Sequence, residues 1–91
     1  MKHNKIIYCT QCQWLLRATW MSQELLTTFN EEVNELTLVP GTGGIFEVYA
    51  NEEKIWSRKE MGSFPEITTL KKRVRDIIAP NKSLGHIDRK K

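Results

Sequence analysis

The chain has only two cysteines, two histidines, three prolines and five glycines among its 91 residues. Two cysteines are too few for the disulfide framework of a small secreted domain. No stretch reaches the roughly 18 consecutive apolar residues that a membrane-spanning helix needs. The N-terminal Met1-Lys2-His3-Asn4-Lys5-Ile6-Ile7-Tyr8 has charge but no apolar run long enough for a secretory signal, so the expected compartment is the cytoplasm. Internal repeats, low-complexity tracts and interior linkers are also missing. With them go solenoids, disordered polymers and multidomain arrangements. No Ser-His-Asp set, paired-carboxylate arrangement or metal motif is visible, which leaves hydrolytic chemistry without support.

What remains is ordinary globular composition, 40% hydrophobic and 27% charged, in a chain of 10.7 kDa. This is enough for one domain, expected over residues 1–80, followed by a polar basic tail over 81–91. The net charge of +3 is unevenly spread. From Lys71 onward eight Lys or Arg face two Asp, a net +6, whereas the first seventy residues hold six bases and nine acids, a net −3. Such a basic end suits a solvated helix face and tail, an acidic partner, an anionic surface or nucleic acid. Nucleic-acid binding is the weakest of these, because no aromatic-rich strand motif or basic recognition helix accompanies the charge.

Hydrophobic periodicity orders the chain as β-α-β-β-β-α. Lys5 to Tyr8 is a short strand ending at Cys9. Trp14, Ala18, Met21, Leu25 and Phe29 recur at helical spacing and predict a helix from about Cys12 to Phe29, with Leu15, Ser22 and Leu26 beside the stripe. Trp14 is read as core more readily than as a substrate platform. Leu16 and Trp20 lie on nearly the opposite side, one turn apart. This second apolar patch is either covered by the rest of the fold or open to a partner. Glu35 to Val39 is a strand stopped by Pro40-Gly41-Thr42-Gly43-Gly44. Ile45 to Ala50 and Lys54 to Arg58 form a hairpin around Asn51-Glu52-Glu53. Ser63 and Glu66 read as a capping box for a last helix with Pro65 in its first turn. That helix buries Ile67, Leu70, Val74, Ile77 and Ile78, turns Lys71, Lys72, Arg73 and Arg75 outward, and stops at Pro80. The expected fold is α/β, a four-stranded mixed sheet with two helices, its first two strands parallel across a right-handed crossover.

Cys9-Thr10-Gln11-Cys12 sits where the first strand hands over to the first helix. Two thiols separated by two residues can close a disulfide with little backbone movement. A helix N-terminus favours a thiolate over a thiol. A thiolate attacks a substrate disulfide and the second cysteine resolves the mixed disulfide. Three other readings compete: half of a zinc site completed by His3 and His86, whose positions do not match zinc-module spacings; two buried apolar thiols; and a static disulfide, which a reducing compartment disfavours. Gly41-Thr42-Gly43-Gly44 lacks the lysine and following helix of a phosphate-binding loop. It is either a turn into the hairpin or a substrate-proximal loop, with Thr42, Gly43 and Gly44 facing Thr10 and Gln11 at the cysteine tip. Arg17 is a solvated charge or a contributor to thiolate stabilisation, and Pro40 is not taken as cis.

The motif Tyr8-Cys9-Thr10-Gln11-Cys12, followed by Trp14-Leu15-Leu16-Arg17 and by Pro40-Gly41-Thr42-Gly43-Gly44-Ile45-Phe46-Glu47-Val48, resembles the selenoprotein T/W/H group, or Rdx family. Ile55-Trp56-Ser57-Arg58-Lys59, Phe64-Pro65-Glu66 and Leu70-Lys71-Lys72-Arg73-Val74-Arg75-Asp76 extend the resemblance over residues 5–80. The bacterial cysteine-containing relatives of selenoprotein W are the most similar group. The resemblance implies a thioredoxin-like fold and a thiol redox role. Selenoprotein members carry selenocysteine at the second motif position, which here is Cys12. The family pattern thus points to Cys12 as the reactive group, whereas thioredoxin logic points to Cys9. The expectation taken here is that Cys9 attacks and Cys12 resolves, on the view that a loop-end thiol is easier to reach.

The leading functional reading is a thiol–disulfide redox protein, expected to act as an oxidoreductase that reduces or exchanges disulfides or to sense oxidants. Its catalytic residues are Cys9 and Cys12; it needs no metal or cofactor, and glutathione or thioredoxin serves as reductant. The alternative is a redox-switched interaction module that docks through Leu16, Trp20 and the basic helix without turnover.

Overall fold

The computed structural model describes residues 2–85. Four strands, β1 (His3–Cys9), β2 (Glu35–Gly41), β3 (Phe46–Ala50) and β4 (Glu53–Ser57), form one sheet in the order β2-β1-β3-β4. β1 pairs with β2 in parallel, and β3 is antiparallel to both β1 and β4. Helix α1 (Leu15–Thr28) is the crossover between the parallel strands, and α3 (Ile67–Ile78) closes the described fold. This is the expected mixed α/β, thioredoxin-like architecture, with one addition. A short helix, α2 (Arg58–Met61), follows β4 directly, so there are three helices where two were expected.

Alternation along the strands decides which face is buried. Asn4, Ile6 and Tyr8 of β1 and Phe46, Val48 and Ala50 of β3 point to one side. Helices α1 and α3 cover that side and touch each other. Ala18, Met21, Leu25 and Phe29 come from the α1 stripe; Leu70, Val74 and Ile78 come from α3 at four-residue intervals. Each large apolar side chain removed from water here is worth about 1.5–3 kcal/mol. Leu15 and Leu26, which flank the α1 stripe, remain exposed.

Among the boundaries that differ from expectation, three do so for clear local physical reasons. α1 starts at Leu15 rather than Cys12, because Gln13 takes a left-handed φ of 59° and ends a turn in which Gln13 N–H donates to the Thr10 carbonyl. β2 continues through Pro40 to Gly41. It is an edge strand paired only with β1, so the donor that proline lacks is not needed on the open side. The Ser63–Glu66 capping box does not form: the N-cap of α3 is Glu66, without a side-chain hydrogen bond. Ser63 instead accepts a hydrogen bond at its carbonyl from Trp56 Nε1, 3.0 Å away. The cap that does form is at α2. There Ser57 Oγ accepts from the Glu60 N–H, and Gly62 closes the helix in the left-handed region at φ 82°.

The basic face of α3 is less free than its periodicity suggests. Lys71 Nζ lies 2.9 Å from Glu24 Oε1 and ties α3 to α1. Arg73 donates to the Ile55 carbonyl and stacks over Trp56. Arg75 contacts Asp76 Oδ1 at 2.8 Å and the Lys82 carbonyl at 3.0 Å. Of the segment expected as a tail, residues 81–85 are described: Lys82 pairs with Glu32, and Leu84 packs against the core. The remainder of that segment, including His86 and the last three cations, lies outside the described residues. No helix among the described residues is long and apolar enough to cross a membrane.

Candidate functional site

β1 and β2 are in register from His3 with Glu35 to Cys9 with Gly41, so both strands end side by side. The C-terminal edge of parallel strands is where open α/β sheets place their chemistry. Here it joins the Cys9–Cys12 turn to the Gly41–Gly44 loop. Gly41 makes the junction: its carbonyl accepts from the Thr10 N–H at 3.0 Å and from Thr10 Oγ1 at 3.2 Å. The turn then closes with Trp14 N–H donating to the Cys9 carbonyl at 3.3 Å.

Both cysteines are free thiols; Cys9 is buried and Cys12 exposed. The accessibility assumed for Cys9 is therefore reversed. Cys9 is the last residue of β1, held against the core, while the turn that delays α1 lifts Cys12 to the surface. The sulfurs are 2.7 Å apart, with Cys12 donating to Cys9 Sγ. A second donor reaches the same sulfur: the Gly44 N–H, 3.3 Å away. Gly43 and Gly44 adopt φ of 73° and 77°, values that favour glycine and turn this amide inward.

These donors polarise the pair. The Cys12 thiol, followed by the N–H groups of Gly44, Cys12 and Gln11, lowers the Cys9 thiol below its ordinary value, against a burial effect that pushes it up. Cys12 is raised, mainly because its proton is held by Cys9 and also by desolvation and the Cys9 charge; Gly44 N–H and the positive charge of Arg58 act in the opposite direction. The pair behaves as a single site sharing one proton. After the Cys12 thiol, the stabilisation comes from the amides of two loops, and the first helical residue of α1 is three positions beyond Cys12.

The structure brings Thr10, Gln11 and Gly44 to the cysteines, whereas Thr42 and Gly43 form the exposed tip of the facing loop. Leu16 and Trp20 are exposed, at 81% and 47% of their full surface, so the rest of the fold does not cover their patch. Trp14 is half-buried between roles: it packs edge-on against Phe46 and Phe64, and it lines a surface cleft of about 470 Å3 with Gln13, Leu16, Arg17 and Trp20. Two residues emerge that sequence reasoning did not select. Gly41 anchors the turn, and Arg58, the first residue of α2, sends its charge toward Cys12. The legible signal for Arg58 was the Ser57-x-x-Glu60 cap followed by Gly62. Among the described residues no three His, Cys, Asp or Glu side chains are grouped to hold a metal ion.

Two solved structures share this fold at high sequence identity. A selenoprotein W-related protein from Vibrio cholerae is 53% identical, superposes with a TM-score of 0.81, and matches over 82% of this chain and 94% of its own. A protein from Bordetella parapertussis is 56% identical with a TM-score of 0.80, over 82% of this chain and 95% of its own. No functionally curated protein is significantly similar to the chain. The Rdx family profile matches residues 4–76, which takes in β1 through most of α3 and both cysteines. The chain belongs to the Rdx family.

Proposed function

We propose that the protein is a thiol–disulfide redox protein in which Cys12 attacks and Cys9 resolves. One observation carries this reading: an exposed Cys12 sulfur lies 2.7 Å from a buried Cys9 sulfur that also receives a backbone N–H. A thiol with no exposed surface cannot meet the sulfur of a protein substrate. The exposed Cys12 can, which reverses the order expected from thioredoxin logic. The proton shared by the pair passes to Cys9 as Cys12 takes up the charge and attacks.

The Cys12 thiolate forms a bond to one sulfur of the substrate disulfide, the substrate S–S bond breaks, and the other substrate sulfur leaves as a thiolate that takes the proton from Cys9. Cys9, whose thiolate is favoured by Gly44 and its neighbours, then attacks Cys12 Sγ. A Cys9–Cys12 disulfide forms and the second substrate thiol is released. The substrate gains two electrons and the protein loses two. Two thiols of the glutathione class, or one dithiol of the thioredoxin class, supply the two electrons and two protons that restore the Cys9–Cys12 dithiol and themselves end as a disulfide.

Single serine variants test the order. With an activated disulfide probe, Cys9→Ser accumulates a mixed disulfide at Cys12, whereas Cys12→Ser does not react until it unfolds. A stable adduct on Cys12→Ser alone would overturn the assignment. The exposed Leu16 and Trp20 support a second reading, a module that docks a partner and uses the thiol pair as a switch. Sustained turnover with a reductase separates the two: a switch oxidises once and stops.

A further inference from the structure

The surface beside Cys12 combines aromatic rings with two arginines that have no carboxylate partner. Arg17 Cζ lies 4.0 Å from the centroid of Phe64, and Arg58 Cζ lies 4.9 Å from Trp14 and 5.0 Å from Phe64. Trp14 and Phe64 are themselves packed edge to face at 4.8 Å. Stacking of this kind fixes a guanidinium plane while leaving its N–H edge available for a bidentate anion contact. Among the described residues the ion pairs are made by His3, Lys54, Lys71, Arg75 and Lys82, and neither Arg17 nor Arg58 takes part. Arg58 Nε is buried with no acceptor at all. The fold thus fixes two positive charges on one aromatic cluster without neutralising either, Arg58 acting directly on Cys12 and Arg17 bordering the adjoining cleft. The cleft bordered by Trp14, Arg17, Leu16 and Trp20 continues this surface along the outer side of α1.

We propose that this arginine–aromatic surface selects the substrate: a peptide disulfide whose cysteine is flanked by Asp or Glu, with a neighbouring apolar side chain seated on Leu16 and Trp20. The inference rests on the reading that Cys12 is the attacking thiol. Charge complementarity decides the occupant. A basic flank would bring like charge against two fixed guanidiniums, and a wholly apolar segment would leave them desolvated without a partner.

The test uses the full-length Cys9→Ser chain and short cysteine peptides activated as pyridyl disulfides, whose leaving group is uncharged. Release of pyridinethione reports attack by Cys12. Three peptides of equal length carry acidic, neutral or basic residues beside the cysteine. At low salt the acidic peptide reacts about tenfold faster than the basic one, and the difference shrinks toward unity near 1 M salt. Arg17→Gln and Arg58→Gln each lower the ratio of acidic to neutral rates by about threefold, and this ratio cancels any change in the thiolate fraction of Cys12. Lys59→Gln removes a charge from the same turn as Arg58 but from a residue that touches neither ring, and leaves the ratio unchanged. Should Arg58→Gln fail to fold, Arg17→Gln at its exposed position decides the question. Equal rates for the three peptides, or an equal effect of Lys59→Gln, overturn the selection while leaving Cys12 as the attacking thiol. Failure of every peptide to react with the folded variant overturns the reading of Cys12 itself.

Discussion

Adding one methyl group at Gly41 tests how the fold holds the redox turn. A Cβ at this position would lie 2.8 Å from Ile45 Cγ2, 3.3 Å from Ile7 Cγ2 and 3.5 Å from the Tyr8 carbonyl oxygen. Carbon atoms sit comfortably at about 3.5–4.0 Å, so the first contact is a real overlap. Ile45 Cγ2 is attached to a β-branched carbon and cannot swing away without a rotamer change or backbone shift. Overpacking of this kind costs about 1–3 kcal/mol, and the lower unfolded-chain entropy of alanine returns about 0.4–1 kcal/mol. Gly41→Ala should therefore lose about 1–2 kcal/mol, a fall in Tm of roughly 4–16 °C for a domain of this size. The assay is urea unfolding of the reduced protein followed by tryptophan fluorescence. In the Ile45→Ala background the clashing methyl is gone, and Gly41→Ala should be at least 1 kcal/mol cheaper there than in the parent. Because the Gly41 carbonyl anchors Thr10, the same substitution should withdraw Gly44 N–H from Cys9 and move the first thiolate step to higher pH. Additive costs within about 0.3 kcal/mol would refute the clash as the cause.

Three further outcomes follow from the packing and the proton inventory. Titration of the reduced pair by ultraviolet thiolate absorbance should show one step below and one above the ordinary thiol range near about 8.5, with the lower step rising in Cys12→Ala, which loses the largest stabilising donor. Stability of the reduced protein relative to the Cys9→Ala/Cys12→Ala variant should rise with pH between the folded Cys9 value and the ordinary thiol value, where the unfolded chain holds two protons and the fold one. Above the ordinary value the unfolded chain holds none while Cys12 keeps its own, so the difference should fall again; a monotonic profile in denaturant titrations across pH would contradict the shared proton. Phe46→Ala removes a fully buried ring that packs on Trp14 and Phe64, and should cost about 3–5 kcal/mol in urea unfolding, a loss below about 1.5 kcal/mol being inconsistent with that packing.

What could be read in advance depended on whether the determining contacts were local. The 3.6-residue stripe of α1 and the alternation of β1 and β3 need only their own segment to declare a buried face, and the succession β-α-β-β-β-α followed from such patterns, whereas α2 did not. The cysteine turn also announced itself, because a short C-x-x-C between a strand and a helix has few geometries. Its polarity did not. Which sulfur is buried depends on Gln13 entering the left-handed region, and that single dihedral moves the start of α1 three residues past Cys12. The two Ser-x-x-Glu sequences make the same point. Ser57–Glu60 caps a helix because Gly62 follows to end it. Ser63–Glu66 has the better-looking proline and the longer helix, but tertiary packing takes its backbone: the Ser63 carbonyl serves Trp56, and Phe64 is drawn onto Trp14 and Phe46.

The same displacement connects the fold to the proposed chemistry. If Ser63 capped the last helix, Phe64 would be its first helical residue. Instead it belongs to an extended segment before the N-cap, and from there it reaches the aromatic cluster beneath the redox turn. α2, in turn, is only four residues long, yet it places Arg58 over the same rings. The stretch from Ser57 to Glu66, in which only the end of β4 and the four residues of α2 are regular, therefore supplies Phe64 to the stacking surface and the unpaired charge that acts on Cys12. For the fold, the contacts of Arg58 with Trp14 and Phe64, worth about 0.5–2 kcal/mol, are set against a buried Nε without an acceptor, a cost of about 1–3 kcal/mol. A side chain kept at that expense, beside an exposed thiol and without an ion-pair partner, is better accounted for by what approaches Cys12 than by what holds the domain together.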